Sequence, residues 1–423
     1  MGSERRVSYY IQRATLSPPR MTARAASSFL TVLLGVLIGL TALGMDLFLP
    51  SVPAIAQAFD AEPGLAQLAV TTYLLGLAAG QFAWGPLADR FGRKPVLLTA
   101  LGLFFVSSAA CATAQSLTSV VLLRFAQGAG MSSGPVIARS VVRDLAAHEE
   151  AAQLLGRMTI VFGFFPVAGP LVGAQVLALA GWTWVFWFYA AFAVVLLVIV
   201  ALGFPETAPA ERPPISLARI AARYALLLGD RRFVAPLVTA LCAQMGILAF
   251  VASSSLVLVQ AMQLTPTAFS LLFAAVMLGQ MAGGFAGSRL VVRLGIERMV
   301  RLAAYVVLLS GALLAILVFA GITHWSAIVL PMLGYIFGCA LLIPNATAAA
   351  LTPFPQMAGA ASSLLGVLPF SLGALVSAVL GAAFDGTARP LALAIALAGA
   401  GVFASERLLF GPAARLARAA RHG

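Results

Sequence analysis

The stretch GPLADRFGRK, residues 85–94, decides the fold because of what flanks it. One apolar run, 66–86, ends in it, and another, 95–114, begins where it stops. At 1.5 Å per residue each run is long enough to cross about 30 Å of hydrocarbon as a helix. Charge is confined to the short piece between them. Gly85 and Gly92 are read as permitting a tight turn, and Asp89, Arg90 and Arg93 as able to pair with neighbouring helix ends. Outward from this junction the same alternation repeats. Apolar spans fall at 29–57, 66–86, 95–114, 118–142, 153–178 and 182–203, then at 233–258, 267–289, 300–320, 324–348, 356–382 and 388–410. The expectation is an all-α integral membrane protein with twelve transmembrane helices.

Composition agrees. Of 423 residues 61% are hydrophobic and 9% charged, whereas soluble domains carry about 25% charged residues. A soluble fold could not cover so much apolar surface. The net charge of +12 would suggest nucleic-acid binding in a soluble chain. Here the basic residues recur in clusters between apolar runs: before the first, after the second, around the fourth–fifth junction, in the centre, after the eighth and at the end. The intervening loops near 59–66, 114–118, 179–183, 260–267 and 320–325 hold no Lys or Arg, and Arg389 is the exception near 385–390. This positive-inside pattern puts both termini in the cytoplasm and accounts for the charge without nucleic acid.

The segment 204–232, with Pro205, Pro209, Pro213, Pro214 and clustered Arg, is the long polar break. It divides the chain into a tail (1–28), a six-helix bundle (29–203), a cytoplasmic linker, a second six-helix bundle (233–410) and a basic tail (411–423). A weak repeat supports the division: Arg90–Phe91–Gly92 aligns with Arg293–Leu294–Gly295 at the same loop of each half, as in paired-repeat transporters. The basic start before Phe29–Leu43 imitates a signal peptide but lacks a good cleavage pattern, so the first helix is read as uncleaved. Residues 1–20 are expected to be disordered, with Met21 as an alternative start. Cys111, Cys242 and Cys339 fall inside apolar runs and read as packing residues. His148, His324 and His422 lie in loops or the tail, which leaves no zinc site. No nucleotide loop, metal cluster or catalytic triad is present, so neither an enzyme nor a cofactor is expected.

Asp46, in ALGMDLFLP (42–50), is the acid that stands out, and no other acid is read as lying inside a span. A charged carboxylate at the bilayer centre costs about 2.5–3.5 kcal/mol on insertion scales. It should face the protein interior, where desolvation favours proton uptake. The alternative is a solvated acid at an outer helix end. Arg124 opens the Gly-rich RFAQGAGMSSG (124–134) and shares a face with Gly128, Met131 and Pro135; it either tunes a cavity carboxylate or snorkels outward. Gly163, with Gly169, Pro170 and Gly173 in the fifth span, suits a sliding contact between halves or ordinary packing. Tyr73, Gln81, Gln127, Gln244 and Asn345 are candidates for a substrate cavity, or for interhelical glue.

These strings resemble the major facilitator superfamily over the whole chain. GPLADRFGRK resembles its loop 2–3 motif, RFAQGAG the fourth-helix motif of proton-coupled members, and Gly163 with GPLVG (169–173) the fifth-helix antiporter motif. MDLFLPSVP (45–53), TYLLGLAAGQ (72–81) and FPQMAGAASSLLG (354–366) look like the bicyclomycin and chloramphenicol resistance (Bcr/CflA) exporters. Two departures are Ala174, where the antiporter motif has its second glycine, and Met131–Ser132. The resemblance implies a monomeric drug:proton antiporter driven by the proton gradient. Asp46 would be its proton and substrate carboxylate, Arg124 the partner of Asp46, and Asp89 with Arg93 a cytoplasmic gate. A proton-coupled nutrient symporter on the same fold, and a non-transporting membrane sensor, remain open alternatives.

Overall fold

The computed structural model describes residues 28–145, 148–208 and 217–412. The chain before Ser28 with Met21, the Pro213–Pro214 part of the linker and the basic tail from Ala413 lie outside those residues. Eleven helices among the described residues are long and apolar enough to cross a membrane. In chain order they are span one (Ser28–Ala58), two (Pro63–Phe91), three (Arg93–Ala112), five (Gln153–Ala180), six (Trp182–Gly203), seven (Arg231–Ala261), eight (Pro266–Leu294), nine (Ile296–Phe319), ten (Ser326–Leu351), eleven (Pro355–Ala382) and twelve (Arg389–Phe410).

The fourth crossing is not one helix, contrary to the continuous span expected at 118–142. It is two, Leu117–Met131 and Ser133–Leu145, laid end to end around Ser132. Pro135 has no N–H to give to the Met131 carbonyl. Just upstream, the hydroxyls of Ser132 and Ser133 donate to the carbonyls of Ala129 and Gly130, both at 2.8 Å, so side chains occupy acceptors that helix amides would otherwise use. Counted in fourth place beside the eleven single helices, that pair makes the described residues consistent with twelve crossings.

The glycines that the sequence repeat aligns hold equivalent places. Gly92 (φ 104°) joins spans two and three, and Gly295 (φ 75°) joins eight and nine. Both sit in backbone conformations that side-chain-bearing residues rarely adopt. Packing repeats as well. In the first half span one packs on five, two on four, and three on four and six; in the second, seven packs on eleven, eight on ten, and nine on ten and twelve. Between halves the main contacts are two with eleven and five with eight, which exchange under the repeat.

At the end whose loops are poor in Lys and Arg, neutral hydrogen bonds stitch the halves together. Gln67 Nε2 of span two donates to Ser253 Oγ of span seven and to the Ser377 carbonyl of span eleven, both at 3.0 Å. Thr71 Oγ1 bonds Ser377 Oγ at 2.9 Å, and Ser270 Oγ of span eight donates to the Pro170 carbonyl of span five at 2.8 Å. At the basic end a helix in the linker, Leu217–Gly229, buries Leu227 against Phe233, Leu237, Phe354 and Leu364 of the second half. Its Tyr224 hydroxyl bonds Ser363 of span eleven at 2.8 Å, and the Tyr224 ring lies 6.4 Å from that of Phe82 in span two.

Candidate functional site

Asp46 stands where the first helix loses its regular ladder. The helix runs Ser28–Asp46 and tightens into a turn at Leu49–Ser51. Pro50 and Pro53 withdraw the amides that would continue it, and the Phe48 amide bonds Met45 rather than Gly44. The Gly44 carbonyl is therefore left for side chains. Arg124 Nη2 donates to it at 3.0 Å, and the Tyr189 hydroxyl lies 3.1 and 3.2 Å from the Leu43 and Gly44 carbonyls. The Tyr73 hydroxyl donates to the Thr41 carbonyl at 2.9 Å. Side chains from spans two, four and six thus hold the end of this helix.

Asp46 is 6% exposed, so the solvated-end alternative does not describe it. Its backbone faces span five, where a Cβ added at Gly169 would lie 3.2 Å from Asp46 Cβ. Tyr73 and Tyr189 are within electrostatic reach of it. Among the described residues no ion pair joins Asp46 to Arg124 or to any other cation.

Arg124 does not snorkel; it is fully buried. Nη1 donates to Gln127 Oε1, Nε to the Ala69 carbonyl at 3.4 Å and Nη2 to Gly44. Its guanidinium is sandwiched between the rings of Phe48 (4.1 Å) and Tyr73 (4.2 Å), a stabilising placement for a cation. Gln127 in turn donates to Ser108 Oγ of span three at 2.7 Å. Tyr73 and Gln127, read from sequence as cavity candidates, are wholly buried members of this network. Ser108, Tyr189 and Phe48 were missed because nothing in the sequence separates a network Ser or aromatic residue from ordinary packing.

The remaining cavity candidates are dispersed. Gln81 Oε1 accepts from Arg139 of the fourth crossing at 3.3 Å. Asn345 turns back on its own helix, donating to the Leu341 carbonyl at 2.7 Å. Gln244 is half-buried in span seven.

The 85–94 residues do gather a charged cluster. Arg93 Nη1 meets Asp89 at 2.5 Å, Arg93 Nε meets Asp144 at 3.0 Å, and Arg143 approaches Asp89 at 3.7 Å. Glu206, just past span six, accepts from the amides of Arg93 (2.9 Å) and Lys94 (3.2 Å), capping span three. Partial burial pushes the Glu206 carboxyl up, and the amides of Ala208, Arg93, Lys94 and Thr207 outweigh that and hold it below its ordinary range. Arg90 is exposed and joins no ion pair among the described residues. Gly85 lies inside the helix Leu68–Phe91, not in a turn, and a Cβ there would find its nearest neighbour at an ordinary 3.8 Å. Only Gly92 makes the turn, because a helix ended at Phe91 needs one positive φ and no more.

The fifth-span glycines also differ from expectation. A Cβ at Gly173 would overlap the Leu47 carbonyl, so Gly169 and Gly173 let span one approach within the same half. It is Pro170 that meets the other half, through its carbonyl. Gly163 faces open space and mediates no close approach. The expectation that Asp46 is the one acid inside a span fails too. Glu406 of span twelve is 2% exposed and pairs with Arg301 at 3.3 Å; it falls inside the expected span 388–410 and was passed over there.

Residues 34–378 match the Major Facilitator Superfamily. The chain belongs to that family. A bicyclomycin resistance protein homolog of Haemophilus influenzae is 29% identical, over 86% of this chain and 92% of its own length. Multidrug resistance protein D of Escherichia coli is 27% identical, over 85% and 90%. A crystal structure of a D-xylose-proton symporter superposes with a TM-score of 0.71 at 17% identity, covering 89% of this chain and 98% of that one; it shares the fold. This member of the superfamily is thus a multi-pass membrane transporter of small molecules rather than an enzyme.

Proposed function

We propose that this transporter is a proton-driven exporter of amphipathic small molecules, of the kind named for the bicyclomycin and multidrug resistance relatives. It would work as a monomer, with both termini on the cytoplasmic side of a bacterial inner membrane. The observation that carries the reading is the state of Asp46: a buried carboxylate with no cation paired to it among the described residues, beside the contact of spans one and five. A carboxylate already neutralised by Arg124 would have little use for a proton. Arg124 instead spends its donors on Gly44, Ala69 and Gln127 and fixes the helix end that presents Asp46.

In the mechanism, a proton from outside neutralises Asp46 and releases the substrate. The halves then rock about the contacts of spans two with eleven and five with eight. The proton leaves inside, and charged Asp46 restores the substrate-binding form. Proton and substrate each weaken the other's binding, and by linkage the effect is reciprocal. The charged cluster around Asp89 and Arg93 acts on the exchange between states and not on substrate.

The test is substrate binding to purified protein from mildly acidic to mildly basic pH. Wild-type affinity should fall as pH falls and substrate binding should release protons, whereas Asp46→Asn should bind with little pH dependence and drive no uphill efflux. Proton uptake on substrate binding would point instead to a symporter. Proton-driven efflux surviving in Asp46→Asn would remove Asp46 from the mechanism. Tags at residue 215 and at the C-terminus should be cytoplasmic and one near 262 external; a 262 tag shielded from outside label in sealed cells would overturn the orientation.

A further inference from the structure

Two arginines of the fourth crossing are held without a carboxylate, and they are held differently. Arg124 is saturated: three of its nitrogens are bonded, both faces are covered by rings, and none of it is exposed. Arg139 is open. A guanidinium offers five N–H donors, and the one hydrogen bond Arg139 makes among the described residues is from Nη2 to Gln81 Oε1 at 3.3 Å. Among the described residues no acid lies within ion-pair distance of it.

Its setting makes that openness informative. From 131 to 142 every residue is buried except Arg139. The helix carrying it packs on spans one, two, three and five, so the exposed position does not belong to a lipid-facing stripe. Gln81 locates the opening: a Cβ added at Gly366 of span eleven would overlap Gln81 Oε1, so this amide sits on the boundary between the halves. One turn further along, Arg143 is the next exposed residue, and its Nη1 lies 3.8 Å from a Cβ built at Gly359 of span eleven. Arg139 therefore lines the cleft between the halves, on the side that runs toward the basic end.

We infer that Arg139 is a specificity-determining residue that reads a hydrogen-bond acceptor on the transported molecule: a nitro, carbonyl, sulfonyl or carboxylate oxygen. Rigid forked donors suit planar oxygen pairs, and a fixed cation in a cleft disfavours cations that bring no acceptor. Preferred substrates are accordingly neutral or anionic acceptor-bearing molecules. The inference rests on the exporter reading and adds the polarity of its substrates.

Two probes of opposite character test it: chloramphenicol, neutral with nitro and amide oxygens, and tetraphenylphosphonium, a cation with no acceptor. With purified full-length protein, Arg139→Gln should weaken chloramphenicol binding about tenfold, the usual size for a lost charge-assisted hydrogen bond. Arg139→Lys should weaken it less, and tetraphenylphosphonium should bind both variants as well as wild type or better. Equal loss for the two probes, or no loss for either, overturns the assignment. Against misfolding of the variants, wild-type protein is labelled with phenylglyoxal and the Arg139 peptide followed by mass spectrometry. Chloramphenicol should slow labelling and tetraphenylphosphonium should not; equal protection, or none, overturns the assignment as well. Efflux of both probes from wild-type cells scores the exporter reading separately: efflux with unselective binding losses sinks Arg139 alone, and neither efflux nor binding of either probe sinks both.

Discussion

Spans one and seven hold equivalent places in the two halves, and both pack against the helix four places further along. The regular helix of span one ends on Asp46, beside a buried arginine, two tyrosines and an amide. Among the described residues the polar contacts of span seven with span ten converge on one carbonyl, that of Ala243, approached by the Tyr335 hydroxyl at 3.4 Å and Cys339 Sγ at 3.6 Å. The buried charge of the second half, Glu406 with Arg301, lies at the basic end instead. A repeated scaffold therefore carries unrepeated chemistry. Close-packed backbone sets how the halves are built, and that was duplicated. Ionisable side chains are costly in lipid, and among the described residues a central charged set is found in the first half. On the proposed mechanism the second half is the surface against which that set opens and closes.

The comparison can be broken at several points. The largest effect is expected from Arg124→Leu, which strands Gln127 Oε1 in a dry interior and leaves the Gly44 carbonyl to the Tyr189 hydroxyl alone. Each orphaned group costs about 1–3 kcal/mol, so detergent melting should fall sharply. Tyr335→Phe in the second half should cost about 1 kcal/mol or less, and comparable losses would erase the asymmetry. Next comes Gly173→Leu, which should abolish efflux because span one has no room for the side chain. Gly163→Leu should transport normally, and loss of efflux there would restore Gly163 to a close contact.

Asp89→Asn is expected to slow turnover while substrate affinity stays within a few-fold; unchanged turnover would leave the 85–94 cluster a topology signal only. The smallest effect concerns Glu206. Its carboxyl is held below the ordinary range, so its contribution to stability is present at neutral pH and is lost as pH falls through the folded value. Glu206→Gln should therefore destabilise slightly at neutral pH and converge with wild type in acid. A difference that grew on acidification would refute the capping role.

Much of the fold was legible because lipid leaves few alternatives: apolar length, basic loops and the Gly92–Gly295 repeat are written residue by residue. The split at Ser132 was less so, since Pro135 signals a kink without saying that two serines will take the neighbouring carbonyls. Asp46 could be found because an acid in an apolar run is conspicuous. What surrounds it could not, because Tyr189 and Ser108 come from spans six and three and look like any other packed residue. The expected partnership of Asp46 with Arg124 failed for a related reason. Sequence pairs opposite charges, whereas the folded chain gave this arginine carbonyls, an amide and two rings. Glu406 was overlooked although it lies inside the apolar run 388–410, four residues from its end.

The two ends of the molecule are fastened by different kinds of bond. Gln67, Thr71 and Ser270 close one end with uncharged donors, while the other end gathers Asp89, Arg93, Arg143 and Asp144. Dissolved ions weaken attraction between exposed charges over roughly 8 Å at physiological ionic strength and leave neutral hydrogen bonds nearly untouched. Added salt should thus act on one end only: it weakens the exposed Arg143–Asp89 approach within the first half and leaves the neutral bonds that join the two halves as they were.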